Sequence, residues 1–163
     1  MIQLVHERPE HAPAVERLVD SAFGEERWAK TCQRLRDGRR PLPGLSLVAL
    51  DGENIVGTVR LWRLGAGRRR TLLLGPLAVD ARCRERGIGS ALMEAAIEAA
   101  RDAGEESMIL VGDAPYYGRF GFSRDLTGGL WLPGPVDRKR FLARELTPGA
   151  LAKAEGPVLA LAA

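Results

Sequence analysis

A proline inside an apolar, strand-favouring run constrains this chain more than any other feature. Leu72 to Leu74 and Leu77 to Val79 are β-favouring pieces, interrupted by Gly75 and Pro76. A regular ladder needs an amide donor that proline lacks, so the run predicts an edge or a bulge. A bulge in a central strand splays it from its neighbour and leaves backbone N–H and C=O groups facing a gap. A linear ligand can pair with such groups as an added strand does, which makes the gap a candidate binding slot.

Directly after this strand come Arg82, Arg84 and Arg86, and then a helical pattern entered through Gly87 and Gly89. With no side chains there, free amides and the positive end of the helix dipole can reach an anion closely, and a phosphate group suits the arrangement. The glycine pair completes neither common nucleotide signature. Ser90-Ala-Leu-Met supplies no third glycine of the dinucleotide fingerprint and no Gly-Lys-Ser/Thr of the P-loop. The helix is expected from about Gly87 to Ala103, with Ile88, Leu92, Ala95, Ala96 and Ala99 on its apolar side and Gly104 as its C-cap. Ser107 to Val111 then reads as a short strand, parallel to the bulged one because a helix connects them, so the gap falls between these two strands.

The bulged strand, Arg84-x-x-Gly87-x-Gly89 and the long amphipathic helix together resemble the coenzyme A motif of the GNAT acetyltransferase superfamily, in which Gln or Arg opens a six-residue pyrophosphate loop. Leu-Gly-Pro-Leu-Ala-Val-Asp followed by Arg-Gly-Ile-Gly-Ser-Ala-Leu-Met is similar to one bacterial subgroup of N-acetyltransferases. The run Tyr116-Tyr-Gly-Arg-Phe-Gly-Phe122 resembles the superfamily's second landmark, aromatic-Tyr-x-x-x-Gly-Phe after the fifth strand, and Leu146-Thr-Pro-Gly-Ala-Leu151 resembles the subgroup's tail. The resemblance covers the chain from about residue 2 to 150.

It implies a single N-acetyltransferase domain over residues 1–163 with an α/β (α+β) fold: a mixed central sheet of about six to seven strands, splayed at the bulge and flanked by helices. The implied reaction is direct transfer of an acetyl group from acetyl-CoA to a primary amine. Pantetheine would pair with the backbone of Leu77, Ala78 and Val79, with the thioester carbonyl at an N–H near Ala78 or Val79 in an oxyanion-hole role. The pyrophosphate would lie on Arg84, Glu85, Arg86, Gly87, Ile88, Gly89 and Ser90. Relatives often carry glycine where this chain has Glu85, and an acid beside a pyrophosphate repels it unless its side chain points to solvent. Tyr117 matches the usual general acid; a phenol of unperturbed pKa ~10 is protonated at neutral pH and can donate to the departing thiolate. Phe23, Glu25, Glu26 and Trp28, near the junction of the first two helices, become candidates for acceptor contact. The residues do not single out a base among Glu25, Glu26, Asp80 and Asp113. A dimer through the C-terminal strands is common in such folds.

Elsewhere the pattern is ordinary. Ile2 to Glu7 is a first strand; Pro9 and Glu10 open a helix whose apolar face carries Ala12, Val15, Leu18, Val19, Ala22 and Phe23. A second helical stretch is expected from about Glu25 to Arg36, with Trp28, Cys32 and Leu35 as its stripe and a basic polar face. Leu45 to Leu50 and Ile55 to Leu64 flank the turn Asp51-Gly-Glu-Asn54, and with the bulged strand they predict an antiparallel meander in which Arg60 and Trp62 share a face. Two final strands are expected around Gly129 to Leu132 and Phe141 to Leu146.

Composition narrows the alternatives. A content of 45% hydrophobic and 28% charged residues is that of a soluble globular protein, no run approaches the ~20 apolar residues of a membrane span, and no signal peptide pattern opens the sequence, so a cytoplasmic location is the default. Cys32 and Cys83 form no metal pattern with His6 and His11 and read as free thiols, Cys83 as an oxidation site within the loop. The net charge of +3 gathers in basic clusters suited to a polyanionic cofactor. A non-catalytic acetyl-CoA-binding sensor or complex subunit is an alternative reading, and a basic nucleic-acid-contacting module a weaker one, because no aromatic-interleaved basic stripe or helix-turn-helix pattern is present.

Overall fold

A computed structural model describes residues 1–24, 27 and 30–162. In chain order the strands are β1 (Ile2–His6), β2 (Leu47–Asp51), β3 (Asn54–Ala66), β4 (Arg69–Val79), β5 (Ser107–Val111), β6 (Leu130–Trp131), β7 (Phe141–Glu145) and β8 (Gly156–Ala160). The helices are α1 (Ala12–Phe23), α2 (Thr31–Arg34), α3 (Ile88–Asp102) and α4 (Ala114–Gly118). The sheet runs β1-β2-β3-β4-β5-β7, antiparallel except for the β4/β5 pair.

Seven of the strands fall where the sequence pattern puts them, and the eighth, β8, was not anticipated. β3 is long enough for two partners on one edge: β2 pairs with its first half, while β8 pairs with Leu64, Gly65 and Ala66 and carries β6 on its other side. Gly156-Pro157 at the start of β8 conceals it in the sequence, since its proline and short exposed-buried alternation read as loop. The second helical stretch also differs. Among the described residues only Thr31–Arg34 is α-helical, followed by a turn that ends at Gly38, whose φ is 69°. The segment is nonetheless anchored, because Thr31 Oγ1 and Arg34 Nη1 donate to the carbonyls of Pro133 and Pro135 in the order Pro135 and Pro133.

Period-two alternation sorts the strand side chains onto two faces. Val59, Leu61, Leu72, Leu74, Met108 and Leu110 meet α3 through Ile88, Leu92, Met93, Ala96, Ile97 and Ala100. Leu92 and Met93 are wholly buried, and a side chain of that size contributes about 1.5–3 kcal/mol on burial. Gly57 brings the helix start close: a Cβ there would lie 3.0 Å from both Ile88 Cγ2 and Leu92 Cδ1. On the opposite face Val15, Leu18 and Val19 of α1 pack on Val48 and Ala78. Trp62, Leu73, Ile109 and Phe141 join Leu35 and the C-terminal segments farther along that face.

Candidate active site

β4 leaves the sheet where the proline requires it to. Val59 pairs with Leu77 and Leu61 with Leu74, so Gly75 and Pro76 together oppose Arg60 alone. Trp62, one turn of the pleat away, donates its indole N–H to the Gly75 carbonyl, which gives the displaced carbonyl a partner. On its other edge β4 is in register with β5 only at Leu72↔Met108 and Leu73↔Ile109. From Leu74 to Val79 it has β3 beside it and, among the described residues, no second ladder, which is the splayed gap.

The segment after Val79 begins with a single 3-10 turn, Ala81–Cys83, capped by Asp80. Hydrogen bonds from the Arg82 guanidinium, then from its backbone N–H at 2.9 Å, hold the Asp80 carboxyl down to about 2. Such a carboxylate is spent on the turn and is a poor proton acceptor. Ala91 N makes the first bond of α3, to the Gly87 carbonyl, and the backbone amides from Arg84 to Ser90 find no acceptor among the described residues. A run of free N–H groups at the start of a four-turn helix is a cradle for an anion. Glu85 and Gly87 both lie in the left-handed region, with φ of 69° and 73°. A left-handed backbone suits glycine better than a glutamate, and the Glu85 side chain is exposed, so it can point away from a bound phosphate. Arg119 extends from just after α4 to Ser90 Oγ at 3.4 Å and adds a cation that the sequence pattern did not single out. Cys83 is buried at 8% exposure, which removes it as an accessible oxidation site; Cys32 and Cys83 are both free.

α4 presents the two tyrosines. Asp113 caps it, accepting from Tyr116 N, and Pro115 occupies its first turn. The Tyr116 hydroxyl sits 3.1 Å from where a Cβ on Gly89 would be, at the mouth of the anion cradle. The Tyr117 ring lies against Gly112, the residue after β5, so closely that a Cβ at Gly112 would be 2.3 Å from Tyr117 Cε2. The two rings meet edge to face at 4.9 Å. Burial, reinforced by Tyr116, pushes the Tyr117 phenol up to about 12.

Through the sheet from α3, the bulge opens on a cavity of 170 Å³ lined by Pro76, Trp62, Arg60, Glu16, Arg36 and Gln33 among others. Arg60, 5% exposed, makes a two-pronged pair with Glu7 at 2.9 Å and a bond to Glu16 at 2.7 Å. Arg27 bonds Glu16 at 2.6 Å and Asp20 at 2.7 Å. Burial raises the Glu16 pKa, but hydrogen bonds from Arg60 and Arg27 outweigh it and leave the carboxyl below its ordinary value. For Arg60 burial acts to lower the pKa, and the bonds to Glu7 and Glu16 reverse it to a net rise. Arg60 and Trp62 therefore both line the cavity, Arg60 held to α1 through Glu16 and Trp62 packed with Leu35.

The acetyltransferase (GNAT) family pattern matches residues 12–122. The chain belongs to the GNAT acetyltransferase family. It is 28% identical over 148 residues to the uncharacterised N-acetyltransferase YhbS of Escherichia coli strain K12, covering 89% of this chain and 87% of that protein. The 1.55 Å crystal structure of E. coli YhbS in complex with CoA superposes with a TM-score of 0.83 at 25% identity, over 98% of this chain and 89% of the other. A GNAT acetyltransferase from Brucella melitensis in complex with acetyl-CoA shares the fold, with a TM-score of 0.74 at 22% identity over 99% of this chain and 97% of that one.

Against this GNAT frame the residues singled out by sequence divide into groups. Leu77, Ala78 and Val79 line the gap's edge, Arg84 to Ser90 form the cradle, and Tyr117 stands at the end of β5. Phe23 ends α1 at 39% exposure, with Lys30 Nζ 5.0 Å from its ring, and it does not line the cavity under the bulge. Glu25, Glu26 and Trp28 lie outside the described residues. Asp113 is committed to capping α4 as Asp80 is to its turn. Glu16, Gln33 and Arg36 were missed, since nothing in their spacing joins them to a strand more than twenty residues away. Among the described residues no helix is long and apolar enough to cross a membrane.

Proposed function

We propose that the chain is one N-acetyltransferase domain that moves an acetyl group from acetyl-CoA to a primary amine without a covalent enzyme intermediate. The observation that carries this reading is the open edge of β4 beside the free amides of Arg84 to Ser90, with Tyr117 at the far side of the gap. The donor-only cradle suits a pyrophosphate, and the unpaired strand edge suits the amide-bearing pantetheine arm. Acetyl-CoA supplies an activated thioester.

The chain's own groups then have defined work. A backbone N–H at Ala78 or Val79 receives the negative charge that develops on the carbonyl oxygen. The amine nitrogen bonds the carbonyl carbon, the carbon–sulfur bond breaks, and its electron pair leaves with sulfur. A phenol held at about 12 is a weak acid toward a thiolate of ~8.5. Tyr117 therefore acts first as a hydrogen-bond donor to the sulfur, and passes its proton over as it takes up the one that the amine nitrogen loses. Attack requires the neutral amine; Glu16, Asp80 and Asp113 are each engaged by hydrogen bonds, and the other candidate bases, Glu25 and Glu26, lie outside the described residues.

Calorimetric titration with acetyl-CoA, followed by free-thiol release with a panel of amines, tests the reading. Saturable one-site binding and amine-dependent release are expected. No binding refutes it, and binding with no release for any amine would favour a sensor.

A further inference from the structure

Among the described residues, four arginines, Arg27, Arg36, Arg39 and Arg60, and two carboxylates, Glu16 and Asp37, line the cavity under the bulge. Arg60 and Arg27 are held by Glu7, Glu16 and Asp20. Arg39 donates to the backbone carbonyls of Leu35, Arg63 and Leu161, which ties the turn after α2 to β3 and to the C-terminal segment. Arg36 differs from both cases. It forms no ion pair among the described residues, and its guanidinium reaches only Gln33 Oε1, by two long contacts of 3.3 and 3.4 Å. Gln33 cannot turn to improve them, because its amide nitrogen is committed to Asp37 at 2.8 Å.

Position makes this guanidinium informative. A Cβ at Gly75 would lie 3.6 Å from Arg36 Nη1, so the charge stands beside the bulge itself, on the cavity side. Burial, opposed by Cys32 and Asp37 but joined by the like charges of Arg27 and Arg60, lowers the Arg36 pKa from the usual arginine value. An anion there would relieve both costs and would satisfy donors that now have poor acceptors. The planar fork of a guanidinium matches a carboxylate with two parallel bonds. At 170 Å³ the cavity is smaller than the ~300–1,000 Å³ that engulf a drug-sized ligand, so its occupant is small.

We propose that the acceptor is a free amino acid, an amine with a carboxylate one or two carbons away, whose carboxylate is bound by Arg36 so that the amino group faces the bulge. This rests on the acetyl-transfer reading above and specifies its substrate. The products are the N-acetyl amino acid and free CoA thiol, with the atoms and electrons moving as already described. Arg36 touches the substrate away from the reacting atoms and sets specificity rather than rate.

The test is a thiol-release assay at saturating acetyl-CoA on the full chain, with amino acids each compared with their carboxamide and decarboxylated amine, and with O-phosphoethanolamine as a phosphate-bearing comparator. At least one amino acid is expected to exceed its carboxamide and amine in kcat/KM by about 30-fold or more, the scale of losing one desolvated charge pair. In Arg36→Gln the KM for that amino acid should rise by a similar factor while kcat and the Kd for acetyl-CoA stay within about threefold, and the acid-to-carboxamide ratio should collapse toward one. Arg36→Lys should restore part of that ratio. A merely structural arginine would lower acid and carboxamide turnover alike and leave the ratio intact, which would overturn the proposal. So would equal turnover of acids and carboxamides by the unaltered protein, preference for O-phosphoethanolamine, or no turnover of any amino acid while acetyl-CoA binds. Those outcomes leave acetyl transfer standing, whereas failure to bind acetyl-CoA removes both readings.

Discussion

Gly112→Ala is a one-carbon change that should act on the reaction through Tyr117 alone. The added Cβ would lie 2.3 Å from Tyr117 Cε2, 2.8 Å from Cδ2 and 3.3 Å from Cζ. The backbone cannot readily retreat, because Gly112 N is bonded to the Arg140 carbonyl at 2.9 Å and β5 is paired with β7 along its length. The ring must therefore move by roughly 1.2–1.7 Å to recover the ~3.5–4.0 Å optimum between carbons. Displacing a catalytic group by about 1 Å costs on the order of 100-fold in rate, and a positioned general acid is worth ~10²–10⁴-fold in all. The expected kcat is thus about 100-fold below that of the unaltered protein, with acetyl-CoA affinity nearly unchanged in calorimetry and overpacking costing ~1–3 kcal/mol in a urea melt. The assay is thiol release at saturating amine, repeated in a Tyr117→Phe background. If the effect runs through the phenol, Gly112→Ala should add little once the hydroxyl is gone. Unchanged kcat in the single variant, or the same fold-loss in the Phe background, would refute the reasoning.

Other outcomes follow from the same geometry. Gly89→Trp should abolish acetyl-CoA binding in calorimetry while the circular dichroism spectrum stays native, since a Cβ there is already 3.1 Å from the Tyr116 hydroxyl at the mouth of the cradle; retained binding would mean that the phosphates lie elsewhere. Glu85→Gly removes a left-handed glutamate and an acid from the loop, and should tighten acetyl-CoA binding several-fold at low salt, an advantage that 0.5 M salt, with a Debye length of about 4 Å, should shrink. Arg60→Met leaves Glu7, with its side chain 6% exposed, buried without its partner, and should cost about 3–5 kcal/mol in urea denaturation; a loss under ~1 kcal/mol would show the ion-pair cluster to be replaceable. Because the Tyr117 phenol is pushed up to about 12, it remains protonated from pH 6 to 10, so kcat/KM should climb as the amine deprotonates and show no descending limb from this tyrosine below about pH 11. A descending limb near pH 9 that Tyr117→Phe abolishes would contradict that assignment.

Local chemistry made the bulged strand and the free-amide loop readable without coordinates. Pro76 cannot donate to a ladder wherever the strand lies, Gly87 and Gly89 expose amides whatever packs behind the helix, and the period of α3 needs one face only. Each of these properties belongs to residues within a few positions of one another, so the bulge, the cradle and the tyrosine turn were all visible in the one-dimensional pattern. The conformation of Glu85 was different: its identity was visible, but its left-handed φ and outward side chain are set by how the loop closes between Asp80 and Ile88.

The cavity under the bulge was decided by tertiary structure. It joins Glu16 on α1, Gln33 and Arg36 in and after α2, Arg60 and Trp62 on β3 and Pro76 on β4, elements that pair or pack only after the chain has crossed the sheet. In the sequence Arg36 is one of several arginines in a basic stretch, and nothing distinguishes it from Arg34 or Arg39. Only the fold reveals that Arg34 and Arg39 spend their donors on carbonyls while Arg36 is left beside the bulge. β8 escaped for the same reason, because two to three residues of pairing at each edge have no period of their own and exist as a strand only where β3 and β6 offer them partners.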